Sequence, residues 1–154
     1  MKTTLVLLKP DCILRGLTGD ILNRFVKRGL QISGLKMMQL SDEILKEHYA
    51  HIADKPFFPG VMAAMQRTPV IAVALTGIEA PTVARKMAGT TNARNAEPGT
   101  IRGDFAVSIQ NNIVHISEDD AAADVEVKRF FRAEELFGAN KEISALVYSP
   151  DEIK

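Results

Sequence analysis

Hydrophobic and polar positions follow two different periods along this chain, and the changes of period mark its elements. Thr4 to Leu8 is a short β-branched and aliphatic run closed by Lys9-Pro10-Asp11, which predicts a buried strand ending in a turn. From Thr18 to Arg28 the apolar residues fall at Ile21, Leu22, Phe25 and Val26, one face of a helix that Gly29 stops. Leu30 to Leu40, with Ile32, Leu35 and the Met37-Met38 pair, predicts a second strand. Ser41 is the expected N-cap of a helix with acids in its first turn, and that helix carries His48, Tyr49 and His51. Lys55-Pro56-Phe57-Phe58-Pro59-Gly60 breaks the pattern before a short helix through Val61, Met62 and Met65.

Val70 to Leu75 is apolar without interruption, the signature of a central strand. Pro81 suits the first turn of a helix running to Met87, and Gly89 to Gly103 reads as a long polar loop. Phe105 to Val114 is expected as a fourth strand, Asp119 to Phe131 as a helix, and the tail from Glu134 is mixed. No repeat or linker divides residues 1–154, so the pattern predicts a single domain. The order of elements favours an α+β sandwich, helices on one face of a mainly antiparallel sheet, over a doubly wound parallel one.

Composition narrows the function classes. The 154 residues are 46% hydrophobic and 25% charged, ordinary for a globular domain. With 19 basic and 19 acidic residues the formal net charge is zero, so nothing global attracts nucleic acid or an anionic membrane. Any basic patch must be local, and a neutral surface favours self-association. The single cysteine, Cys12, excludes an internal disulfide and fits a reducing compartment. The apolar run before Lys9 is too short for a signal segment or a membrane span, so the expected location is the cytoplasm.

The candidate chemistry sits in two places. The loop G-T-T-N-A-R-N-A-E-P-G-T-I-R-G, residues 89–103, combines glycines, the hydroxyls of Thr91 and Thr100, and the guanidinium groups of Arg94 and Arg102. Such a set can cradle phosphate, although no G-K-[ST] closes it as a P-loop would, and a plain solvated loop fits equally well. The stretch N-N-I-V-H-I-S-E-D-D, residues 111–120, places His115 at the end of an apolar run. That imidazole can be a packed core group, a metal ligand or a nucleophile. As a nucleophile it needs a partner for its second nitrogen, and Glu126 on the following helix, sharing a face with Ala122, Ala123 and Phe130, is the candidate. His48 and His51 stand three apart on a helix, as a metal pair could, without an evident third ligand. Phe57 in its Pro-rich turn is either core or a face for a flat base.

Six segments in order then resemble one family: K-P-D at Lys9 to Asp11, E-H-Y at Glu47 to Tyr49, K-P-F-F at Lys55 to Phe58, G-T-T-N at Gly89 to Asn92, P-G-T-I-R-G-D-F at Pro98 to Phe105, and N-I-V-H-I-S at Asn112 to Ser117. Nearly end to end, the chain resembles the nucleoside diphosphate kinases. The resemblance implies a ferredoxin-like four-stranded antiparallel sheet with helices packed on it. It also implies ping-pong transfer of a γ-phosphate from a nucleoside triphosphate to a nucleoside diphosphate through a phosphohistidine on His115. Lys9 and Asn112 would bind sugar hydroxyls and phosphates, and Tyr49 would stand beside the histidine. Phe57 would stack on the base with Val61 near it, Arg85, Thr91 and Arg102 would hold phosphates, and Glu126 would orient the imidazole. Magnesium would travel on the nucleotide, touched at most through water by Glu118. Tetramers or hexamers built from dimers would be the assembly.

Three positions depart from the family pattern. Ile116 replaces a glycine, which would strain the chain if that position needed a positive φ. Glu118 replaces an aspartate, and Ala93 a proline whose loss would loosen the long loop. Activity is expected to survive them; the alternative is a weakened member acting as a nucleotide-binding or interaction protein.

Overall fold

A computed structural model describes residues 1–153; Lys154, the last residue of the expected domain, lies outside the described residues. The chain runs β1 (Lys2–Leu8), α1 (Pro10–Leu14), α2 (Thr18–Lys27), β2 (Gln31–Met38), α3 (Asp42–His48), α4 (Phe58–Met65), β3 (Val70–Gly77), α5 (Ala80–Ala88), α6 (Ile101–Phe105), β4 (Val114–Ile116), α7 (Asp120–Phe130) and α8 (Lys141–Val147). The strands form one sheet in the order β2-β3-β1-β4 with every pair antiparallel, the ferredoxin-like sheet that the resemblance implies. Val70 to Leu75 falls in β3, inside the sheet as expected.

The uninterrupted apolar runs of β1 and β3 have a physical reason. A strand buried on both faces cannot alternate with polar residues. Val6 and Leu8 of β1, with Val73 and Leu75 of β3, pack against Ile21 and Phe25 of α2 and Ala80, Ala84 and Ala88 of α5. Leu5 and Leu7, with Val70, Ala72 and Ala74, pack on the other face against Leu45 of α3, Val61 and Met65 of α4, and Val127 and Phe130 of α7. Helices therefore cover both faces, not the single face expected from the element order.

The largest departure concerns Phe105 to Val114. Instead of a strand, α6 ends at Phe105 and β4 is only three residues long. Thr100 caps α6 by accepting the N–H of Gly103 at 3.0 Å, which draws the end of the expected loop into a helix. Ser108 then accepts the N–H groups of Gln110 and Asn111 at 3.2 and 3.1 Å, folding a turn in place of a ladder. Alternation of Phe105, Val107 and Ile109 imitates a strand, yet Val107 is 79% and Ile109 58% exposed. The loop from Gly89 also contains a 3-10 turn, Ala93–Asn95, capped by Asn92. Tyr49 is the C-cap of α3, and His51 lies in the turn beyond it.

Gly103 is held by space alone, because a Cβ there would stand 2.0 Å from the Glu97 carbonyl oxygen. Gly103→Ala is expected to destabilise the chain by about 1–3 kcal/mol. Gly60→Ala, a helical position with no atom near its Cβ, is expected to be neutral or stabilising by about 0.5–1 kcal/mol. Urea unfolding midpoints of the two variants check the contrast; equal costs would refute it.

Candidate active site

The end of β1, the turn before β4 and the helices α3, α4, α5 and α7 surround a half-open cavity of about 770 Å³. Its lining includes Lys9, Tyr49, Phe57, Val61, Arg85, Thr91, Arg102, Asn112, His115, Glu118 and Glu126, so every site residue that the family resemblance implies stands on one cavity. Arg94 does not line it, and His51 does.

His115 is the middle residue of β4, opposite Leu7 of β1, and β4 is an edge strand of the sheet. Its Nε2 lies 3.0 Å from Oε2 of Glu126, one helix away on α7. A carboxylate only accepts, so Nε2 carries the proton and Nδ1 keeps its lone pair. Ser117 donates to the same oxygen at 2.7 Å, and its own oxygen accepts the Leu5 N–H at 3.2 Å. Burial pushes the Glu126 carboxyl up, but the bonds and charge from His115, with Ser117 and His48, outweigh it and hold the group near 2.

A second imidazole supports the first. The ring of His48 meets that of His115 edge to face with centroids 4.4 Å apart, and Tyr49 stands 6.2 Å from His115. Burial, followed by the neighbouring His115, lowers His48 to about 3, so it is neutral. Arg129 donates to its Nδ1 at 3.3 Å and is itself paired with Glu47 at 2.8 Å. Burial, then Glu126, raises the Tyr49 phenol well above its ordinary range.

Three cations share the cavity with the histidine. Lys9 is buried, donating to Asn112 Oδ1 at 2.8 Å and to the Gln110 carbonyl. Burial outweighs the field of Asp11 and brings its ammonium down to about 8. Arg102 gives three of its donors to the carbonyls of Asn112, Gly89 and Val114, at 3.3, 2.7 and 2.7 Å. Burial, then the charge of Arg85, lowers it to about 10. Among the described residues none of Lys9, Arg85 and Arg102 is ion-paired with a carboxylate. Buried charges normally carry partners, so the buried Lys9 and Arg102, without carboxylates and with the exposed Arg85 on the same cavity, define an anion site.

The turn before β4 sets this geometry. Ile113 has φ 76, and the N–H of Val114 donates to the Asn112 carbonyl at 2.9 Å across it, a γ-turn. For a β-branched residue that conformation costs about 1–3 kcal/mol. Asp11 accepts the Ile113 N–H at 2.9 Å, Lys9 donates its own N–H to the Ile113 carbonyl at 3.0 Å, and the side chain is fully buried. Asn112 thereby reaches Lys9 with its oxygen, and Thr91 and Ile109 carbonyls with its amide, at 2.9 and 3.0 Å. The strain therefore lies at Ile113 and not at Ile116, which has no positive φ and fills the core beside Val6. The expected penalty at Ile116 is absent. Ala93 is buried in its 3-10 turn.

Sequence reasoning passed over four contributors: Ile109 on the cavity, and Ser117, Arg129 and Asp11 behind it. Ser117 and Asp11 carried a signal, by their places in the motifs N-I-V-H-I-S and K-P-D. The others depend on contacts between distant segments.

An α+β protein with a carboxylate-tethered histidine on an anion cleft is thus defined by fold and site together. The sequence model of the nucleoside diphosphate kinases matches residues 2–136. A nucleoside diphosphate kinase of Parabacteroides distasonis is 50% identical over 152 residues, covering 99% of either chain. One from Pyrococcus abyssi is 48% identical over 137 residues, 87% of this chain and 86% of that one. Among solved structures, a halophilic nucleoside diphosphate kinase from Halobacterium salinarum in complex with CDP superposes with TM-score 0.92 at 40% identity, covering 96% of this chain and 99% of that one. The chain belongs to the nucleoside diphosphate kinase family.

The shifts of Glu126 and His48 have one sign for stability. Glu126 stays ionised in the fold below its ordinary 4.5, and His48 stays neutral below its ordinary 6.5. The unfolded chain takes up these protons first, so their contribution is complete above about pH 6.5 and is lost as pH falls toward about 3 and 2. Denaturant unfolding from about pH 7 to about pH 3 is expected to show a fall that Glu126→Gln makes shallower; identical slopes would contradict the assignment.

Proposed function

We propose that this chain, read as one catalytic domain over 1–154, is a nucleoside diphosphate kinase working by ping-pong transfer through His115. The observation that carries the reading is the bond from Nε2 of His115 to Glu126, which leaves Nδ1 as the nucleophile beside Lys9, Arg85 and Arg102. Nδ1 attacks the γ-phosphorus of a nucleoside triphosphate. The N–P bond forms as the P–O bond to the β-phosphate breaks, and the diphosphate leaves. The ring, now phosphorylated at Nδ1 and protonated at Nε2, is balanced by the Glu126 carboxylate. A terminal oxygen of a second nucleoside diphosphate then attacks phosphorus, and the imidazole returns neutral. Placement and charge supply the rate, because phosphoryl transfer asks little else of a protein.

Arg102 keeps two donors beyond its three carbonyl bonds, enough for a phosphate oxygen pair. With Arg85 and Thr91 it holds the phosphates, while Lys9 and Asn112 serve sugar hydroxyls and phosphates. The base lies against Phe57 and Ile109, 59% and 58% exposed, whose apolar surfaces read no hydrogen-bond pattern and so admit any base. Val61 is buried beneath as support. Tyr49 packs beside the reacting ring. Magnesium fits as a cation carried on the phosphates, with the Glu118 carboxylate on the cavity reaching it through water.

Self-association into a tetramer or hexamer is part of the proposal. β2 is an edge strand that leaves Ile32, Leu35 and Met37 exposed, an apolar edge suited to a second copy. Among the described residues no helix is long and apolar enough to cross a membrane, and a cytoplasmic location is proposed with the activity. The ordinary backbone at Ile116 removes the main argument for a weakened, merely binding member.

Incubation with ATP is expected to give an acid-labile protein phosphate, discharged by any second nucleoside diphosphate. His115→Ala is expected to abolish label and transfer; a folded wild type that takes no label overturns the reading. Nucleotide phosphates favour the charged form of Lys9, which is protonated below about 8. ADP affinity by calorimetry is therefore expected to decline above about pH 8, and Lys9→Gln to weaken binding and remove that decline.

A further inference from the structure

Glu126 and Arg129 lie three apart on α7, the spacing at which opposite charges on a helix normally pair. Here they do not. Among the described residues no ion pair joins them. Arg129 instead donates to Nδ1 of His48 at 3.3 Å and to Glu47 at 2.8 Å, while Glu126 serves His115 and Ser117. We propose that His48 is a positioning residue, whose Nδ1 holds Arg129 away from Glu126 so that the carboxylate remains whole for His115.

Three observations carry this. The first is nearness. Nδ1 of His48 stands 3.8 Å from Oε1 of Glu126, so the acceptor that Arg129 uses lies beside the oxygen that would otherwise draw it. A carboxylate attracts a guanidinium more strongly than a neutral imidazole does, so the diversion needs an acceptor fixed in place. The second is that Glu47 does not suffice alone, because its side chain is 65% exposed and an exposed ion pair is weak. The third is an unmet need. The His48 side chain is only 1% exposed, and its Nε2 has no hydrogen-bond partner. Because Nδ1 accepts from Arg129, the proton sits on Nε2, a buried N–H without an acceptor. A phenyl ring would fill the same space without that cost. Packing alone therefore does not account for an imidazole here, whereas the lone pair on Nδ1 does.

A guanidinium on Oε1 would divide the charge of Glu126 between two partners and weaken its hold on the His115 proton. His115 could then carry its proton on Nδ1, the nitrogen that must keep a lone pair to attack phosphorus. The ring of His48, edge to face on His115 with centroids 4.4 Å apart, also limits how far the acceptor ring tilts. His48 is too buried to meet a nucleotide, so it acts wholly through Glu126 and His115.

The inference rests on the phosphotransfer reading only in taking Nδ1 of His115 as the nucleophile. Nitrogen-15 NMR of the histidine rings reads each tautomer in the full chain without nucleotide. In the wild type His48 and His115 are both expected to be protonated at Nε2 alone. A proton found on Nδ1 of His48 overturns the inference; a wild type with the expected tautomers that takes no label from ATP sinks the phosphotransfer reading alone. His48→Phe, its folding checked by circular dichroism, keeps a ring and removes the acceptor. It is expected to move part of His115 to the Nδ1–H tautomer and to slow phosphohistidine formation at saturating ATP by about 10–100-fold. Adding Arg129→Met removes the competing charge and should restore most of both, a coupling that lost packing would not show. An unchanged His115 tautomer in His48→Phe, or a double variant as slow as the single one, refutes the role. If His48→Phe does not fold, His48→Leu with and without Arg129→Met is read in the same way.

Discussion

One hydrogen bond organises the molecule: the Glu126 carboxylate accepting the proton of His115 Nε2. It joins an edge strand to a helix packed on the sheet, and it fixes which ring nitrogen keeps its lone pair. Ser117 anchors the same oxygen and ties it to the backbone of β1. His48 and Tyr49 close the ring from the side of α3, themselves uncharged because burial withholds their charged forms. A short β4 suffices for this, since three ladder positions against Val6, Leu7 and Leu8 set the height of the imidazole above the sheet.

Electrostatics supplies the second half. The chain is neutral as a whole, yet it gathers Lys9, Arg85 and Arg102 on one cavity without pairing them to carboxylates. Such an arrangement costs stability unless an anion arrives, which is what makes it a binding device. Arg102 also has a structural duty, because its bonds to Gly89, Asn112 and Val114 clamp the long loop to the turn before β4. The same turn stores strain at Ile113, held in place by Asp11 and by complete burial. Rigidity of the anion site and strain of its backbone are thus two aspects of one small region.

Much of this was legible in the residues. The buried runs of β1 and β3, the cap at Ser41 and the helix around Phe25 follow from local pattern, and they appear where the pattern puts them. Residues 105–114 misled, because alternation there arises from exposed side chains along a folded loop, and only the caps at Thr100 and Ser108 reveal that path. Coverage of both sheet faces was also hidden. An apolar run shows that a strand is buried, but not which helices bury it.

What the sequence determined by itself is the set of chemical parts: a histidine, a glutamate on the apolar side of the next helix, and cations in motifs whose order marks the family. Tertiary structure decided their pairing. It separated His48 from His51 and set it against His115, spent three donors of Arg102 on carbonyls, and placed the strain at Ile113 instead of Ile116. The reason is range. Spacing along a helix or strand constrains neighbours within a few residues, whereas these contacts join segments far apart in the chain, and only packing both faces of the sheet brings them within reach.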